Sequence, residues 1–120
     1  MKEDQMAKQA QFTNKKILFE KNVDFPDLPG VYKFFNSEHE IIYIGKAKNI
    51  KKRVKSYFNS RKGEGKRIAK LKSSIKFVET IITETESDAL ILEQGLISKK
   101  RPPFNIPVSY THLRAHETDR

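Results

Sequence analysis

Apolar positions in this chain fall in short runs whose spacing changes from stretch to stretch, and the spacing predicts most of its elements. The first 24 residues are polar and mixed in charge, relieved only by Ile17, Leu18 and Phe19. They predict an arm carrying a short helix near residues 15–21. Pro26 and Pro29 bracket an extended lead-in, and Gly30 opens a strand over residues 30–35. Period-two alternation sets Val31, Lys33 and Phe35 on one face and Tyr32 and Phe34 on the other. The polar run Asn36-Ser37-Glu38-His39-Glu40 predicts a hairpin turn, returning as a second strand over residues 41–44 that turns at Gly45. Tyr32 and Tyr43 then lie on adjacent antiparallel strands.

Beyond Gly45 the period lengthens. Ile50, Val54 and Phe58 recur at every fourth position, the buried stripe of a helix. A loop over residues 59–65 leads to a second helix, Lys66–Ser74, with Ile68, Leu71 and Ile75 apolar. Residues 77–83 are rich in β-branched side chains and predict a third strand. Thr85 then suits an N-cap with Asp88 three residues on. The helix it opens runs to Lys99 or Lys100, where cations suit the dipole and Pro102-Pro103 forbids continuation. Its apolar positions are Ala89, Leu90, Ile91, Leu92, Leu96 and Ile97. Glu93 sits among them, a costly place for a carboxylate unless something positive meets it: a neighbouring lysine or arginine, or a ligand.

Charge sharpens the picture. The chain carries a formal +9, and from Lys46 to Lys72 it has twelve Lys or Arg against one acid, Glu64. Such a run is often a solvated helix face, but across two helices and their loop it favours a surface that follows phosphates. Arg53 and Tyr57 are four apart, one turn of helix, just after a glycine turn carrying Lys46, and suit a grip on a phosphate. A chain of 120 residues makes one modest core. With no cysteine there is no disulfide or thiolate metal site. No apolar run has membrane-spanning length and the N-terminus lacks the apolar middle of a signal peptide, so a cytoplasmic setting with no membrane partner is expected.

The order Gly30-Val31-Tyr32, then Tyr43-Ile44-Gly45, resembles the signature of the GIY-YIG nuclease family. Lys46-Ala47-Lys48-Asn49, Arg53-Val54, Ser56-Tyr57-Phe58, the stretch Glu86 to Glu93, Leu96-Ile97 and Arg101-Pro102-Pro103-Phe104-Asn105 resemble one branch of it. That branch is the N-terminal endonuclease domain of the bacterial UvrC excinucleases. The resemblance implies a small α+β fold, a three-stranded antiparallel sheet flanked by helices, over residues 27–106. It also implies hydrolysis of one DNA phosphodiester bond with one divalent ion, Mg²⁺ or Mn²⁺, held by Glu93. In that reading Tyr43 takes the proton from water by family analogy, with Tyr32 or the metal's own water as the open alternatives; Tyr32 and Tyr57 hold the base or the phosphate, and Arg53 balances charge on the phosphate. Asn105 closes the site near substrate or metal, and Lys46, Lys48, Lys51, Lys52, Lys55, Lys62 and Lys66 contact DNA.

The branch makes the incision 3′ to a lesion in nucleotide excision repair, recruited by a damage-loading partner protein. The domain itself is expected to be monomeric. Other branches of the family, or a non-catalytic basic nucleic-acid-binding domain, are the competing readings. One departure stands out: the branch usually has asparagine where this chain has Gly95. From Pro107 the resemblance stops, and residues 107–120 resemble translated adaptor or vector sequence attached to a truncated domain. His112 and His116 have a zinc-compatible spacing without a placed third ligand, and His39 is expected to be solvated.

Overall fold

The computed structural model describes residues 16–59 and 62–106; the tail with His112 and His116 lies outside the described residues. Four strands, β1 (Ile17–Leu18), β2 (Gly30–Phe35), β3 (Ile41–Ala47) and β4 (Phe77–Ile82), form one antiparallel sheet in the spatial order β1-β4-β2-β3. Three helices flank it: α1 (Ile50–Ser56), α2 (Lys66–Ser74) and α3 (Glu86–Lys100), the last followed by a 3₁₀ turn over Pro103–Asn105. None of the described helices is long and apolar enough to cross a membrane.

The central strand β2 is covered on both faces. Tyr32, Phe34 and Val78 face α1 and α2, packing with Phe25, Ile50, Val54, Leu71 and Ile75. On the other face Val31 and Ile44 meet Ala89 of α3, with Leu92, Leu96 and Ile97 alongside. Lys33 lies opposite Glu79 across β2 and β4 and bonds it at 3.1 Å, so a charged pair sits on the sheet without an orphan. Ile42 is an extra residue: Phe34 pairs with Tyr43 but Phe35 with Ile41. That bulge puts both Ile42 and Tyr43 on the α1 side.

Three expectations change. The sheet has four strands, because Ile17 and Leu18 pair with Val78 and Phe77 at the edge of β4 instead of forming a helix. The apolar triplet is too short for a helical stripe, but the strand edge satisfies its backbone. Phe19 then stacks on Phe58 at 4.1 Å and meets Phe34 edge-on at 5.4 Å. With Phe25 buried as well, the folded unit takes in part of the supposed arm and begins well before residue 27. Second, β3 does not turn at Gly45; it runs through to Ala47. Third, Leu90 and Ile91 are 39% and 72% exposed, so α3 buries a narrower stripe than its apolar residues suggest.

The helix ends follow local rules. Asn49 caps α1, its side-chain oxygen accepting from the Lys52 N–H at 3.0 Å. The Ile50 and Lys51 N–H groups bond the Leu28 and Pro26 carbonyls, so the lead-in closes that helix end. Thr85 accepts from the Asp88 N–H at 3.1 Å, and α3 stops at Arg101, left-handed at φ 49°, whose N–H bonds the Ile97 carbonyl.

Both signature glycines are demanded by close approach. A Cβ on Gly30 would lie 2.2 Å from the Ile81 carbonyl oxygen, and one on Gly45 would lie 2.3 Å from Cζ and Oη of Tyr32. Gly45→Ala is therefore expected to destabilise the fold by about 1–3 kcal/mol through overpacking. Urea unfolding should show a lower midpoint at unchanged slope; an unchanged midpoint would mean that the Tyr32 ring has room to move.

Candidate active site

Three tyrosines and an arginine converge beside α1. Tyr32 is 0% exposed, yet its hydroxyl lies 3.0 Å from that of Tyr57, at the C-cap of α1. Arg53, one turn earlier, donates from Nε to the Tyr32 oxygen at 3.3 Å. Arg53 and Tyr57 therefore meet through Tyr32. The Tyr43 ring lies 6.2 Å from that of Tyr32, and Tyr43 and Tyr57 influence each other's ionisation. Burial pushes all three phenols above their ordinary value, Tyr43 to about 12, with Arg53 pulling the other way. Arg53 is itself held more firmly protonated, chiefly by its hydrogen bond to Tyr32.

The second half of the site lies along the free edge of β3. The Ile44 N–H donates to Asn105 Oδ1, and Asn105 Nδ2 donates to the Ile44 carbonyl, both at 2.8 Å. Ile44 thus points its backbone away from β2, and Lys46, two residues on, shares that direction. The outward Lys46 N–H faces the Glu93 carboxylate of α3 and favours its charged form. Desolvation raises the Glu93 carboxyl, opposed by the charge and backbone of Lys46, and its charge is felt by Tyr43. The positive group that meets Glu93 is therefore Lys46, whose ammonium also bonds Glu86 at 3.4 Å.

Arg53 stands between two concavities. A cleft of about 430 Å³ is lined by Lys46, Lys48, Asn49, Lys52, Arg53 and Ser56, with Glu86 at its wall. On the other side a groove of about 380 Å³ carries Tyr57, Lys62, Ile68 and Lys72. Of the lysines read as DNA contacts, Lys46, Lys48 and Lys52 flank Arg53 and Lys62 faces the second groove. Lys51 instead bonds Asp24 at 3.4 Å, Lys55 is exposed, and Lys66 lines a separate hollow with Arg67 and Lys70. Asn105, expected near substrate or metal, has both amide atoms on Ile44. Sequence reasoning alone does not single out Asn49, Glu86 and Ser56 as lining residues. All three fall within the motifs that carry the family resemblance, and Asn49 has a local signal as well, its N-cap position before Ile50.

Residues 28–106 match the family described as the UvrC-like GIY-YIG domain. The chain belongs to that family. UvrABC system protein C of Helicobacter pylori (strain Shi470) is 49% identical over 84 residues, covering 64% of this chain and 14% of that protein. The protein of the same description from Chlorobium chlorochromatii (strain CaD3) is 50% identical over 93 residues, covering 77% of this chain and 15% of its own length. The chain thus spans about 14% of the curated relatives it matches. Among solved structures, it is similar to the GIY-YIG N-terminal endonuclease domain of UvrC from Thermotoga maritima bound to its catalytic divalent cation, magnesium. There the TM-score is 0.59 at 40% identity, covering 68% of this chain and 86% of that one.

In this GIY-YIG domain the donor set suits such an ion. Among the described residues no three His, Cys, Asp or Glu cluster as a metal cage. A single half-buried carboxylate beside a cationic cleft fits Mg²⁺, which keeps several waters and is commonly bound by one or two carboxylates plus substrate phosphates. Glu93 is the residue that would hold it. At Gly95, the departure from the branch, nothing lies within 4 Å of a built Cβ, so the missing side chain leaves no hole.

The tyrosine cluster carries a pH dependence. With Tyr43 raised from 10.0 to about 12, the unfolded chain loses that proton first, so the protection is complete below pH 10 and falls between about 10 and 12. Tyr43→Phe should make the melting temperature fall less steeply with pH in that window. Equal slopes for the two proteins would show that the Tyr43 phenol is not shielded.

Proposed function

We propose that this domain is a metal-dependent DNA endonuclease that hydrolyses one phosphodiester bond. The observation that carries the reading is the hydrogen-bonded chain Arg53–Tyr32–Tyr57 beside a cationic cleft that Arg53 and Lys46 line, with Tyr43 alongside and the Glu93 carboxylate of α3 acting on Tyr43 and Lys46. Within the longer protein that its relatives represent, the reaction would be the 3′ incision of nucleotide excision repair, in the cytoplasm. Other members of the UvrABC system would deliver the damaged DNA, since the basic cleft has the chemistry to hold a phosphate chain but none to recognise a lesion.

Each group then has a task. Lys46, Lys48 and Lys52 hold the DNA backbone in the cleft. Arg53, anchored through Nε, has its terminal nitrogens left for the scissile phosphate, where a planar fork offsets growing charge. An ion held by Glu93, Mg²⁺ or Mn²⁺, would polarise that phosphate and neutralise the departing 3′ oxygen. Tyr43 is a phenol at neutral pH, so it orients the attacking water and becomes a base only after losing its own proton. In this cluster Arg53 is the group whose charge favours that loss. Tyr57 and Tyr32 keep Tyr43 and Arg53 in register.

Two measurements test this. Glu93→Gln is expected to abolish nicking of supercoiled plasmid in Mg²⁺ or Mn²⁺ while leaving melting temperature and DNA affinity nearly unchanged. Retained metal-dependent cleavage by that variant would overturn the assignment.

Arg53→Ala should lower the single-turnover rate at saturating enzyme by about 2–4 kcal/mol in barrier. Lys52→Ala should instead weaken binding slightly and flatten the salt dependence of affinity by about one unit of slope. If Arg53→Ala loses affinity but cleaves normally once saturated, Arg53 is only another phosphate contact.

A further inference from the structure

Arg67 is the second residue of α2, inside the densest run of positive charge, where composition assigns it to the phosphate-following surface. Its guanidinium is directed elsewhere. One terminal nitrogen donates to the Pro103 carbonyl at 2.9 Å and to the Ile106 carbonyl at 2.5 Å. The guanidinium carbon also stands 5.3 Å from the centre of the Phe104 ring. Arg67 thus clasps both ends of the Pro103–Asn105 turn and the ring inside it. That turn is a three-residue 3₁₀ helix, too short to hold itself firmly. It carries Asn105, whose amide supplies the partner that Ile44 lacks on the free edge of β3. Ile44 lies between Tyr43 and Gly45, and the next outward backbone group, the Lys46 N–H, faces the Glu93 carboxylate.

We propose that Arg67 is a positioning residue for cleavage. By holding the turn it keeps the Asn105 amide on Ile44, and so fixes the stretch of β3 that presents Tyr43 and seats Glu93. Geometry rather than charge performs this task. Two carbonyls and a ring face are met by one planar group, which a lysine ammonium cannot match from the same position.

The inference rests on the nuclease reading for its rate measurement, but its first test needs neither DNA nor cleavage. In Arg67→Ala, hydrogen exchange at the Ile44 amide should speed up about tenfold or more, while the Tyr32 and Phe34 amides of the central strand keep their protection. Single-turnover cleavage at saturating enzyme should fall about tenfold, with DNA affinity and its salt slope unchanged. The double variant Arg67→Ala, Asn105→Ala should cleave no more slowly than Asn105→Ala alone. Arg67→Lys keeps the charge and the stem, and it carries the same measurements should Arg67→Ala fail to fold; it is expected to show the same loosening at Ile44. Unchanged exchange at Ile44, or full recovery of rate and protection by lysine, would overturn the clasp. A salt slope that drops while the saturated rate stays normal would make Arg67 a phosphate contact. A wild-type chain that does not cleave would sink the nuclease reading and leave the exchange result standing on its own.

Discussion

The contact between Tyr32 and Gly45 is the constraint on which the site depends. A tyrosine on the central strand is fully buried, and its ring lies where a side chain at position 45 would project. That approach sends the hydroxyl to the edge of the core, where it meets Tyr57 and Arg53. A buried phenol needs a partner for its oxygen, and here the partners are the groups that face the cleft. Core packing and cleft chemistry therefore share one side chain. Movement of the Tyr32 ring would disturb the hydrophobic layer and the guanidinium together.

The outer strand β3 poses the opposite problem, since among the described residues no strand pairs with its outward backbone groups. The chain answers with side chains from later in the sequence: Asn105 bonds Ile44, and the Glu93 carboxylate faces the Lys46 N–H. An edge covered in this way resists pairing with other chains and also gathers groups from α3 and the closing turn beside Tyr43. The carboxylate that looked misplaced on an apolar helix lies over the sheet's edge, with Lys46 near it and Tyr43 close enough to feel its charge.

Positive charge along the helices is less uniform than its sequence density. Lys46, Lys51 and Lys72 are held by Glu86, Asp24 and Glu64, the last pair at 2.5 Å. Lys48 and Lys52 remain beside Arg53 in the cleft. The charge that a phosphate chain meets is thus uneven along the run, because acids elsewhere in the fold hold some of its cations.

The sequence by itself determined the elements whose causes are local. α2 has the bounds that its apolar spacing predicts, Thr85 caps α3 as its side chain allows, and Ile50 and Val54 form the buried stripe. The ordered motifs identified the family, since glycines and tyrosines at those spacings answer to one arrangement. Tertiary structure decided what depends on residues far apart. Ile17 and Leu18 have no local reason to be a strand until Val78 and Phe77 offer an edge. Gly45 looks like a turn until the ring of Tyr32, thirteen positions earlier, is seen to occupy its missing side chain. Leu90 and Ile91 match the apolar pattern of α3 but miss its narrow contact with the sheet. Arg67 is one cation among twelve in the run until the turn near Phe104 folds back against it, because hydrogen-bond direction is not written in composition.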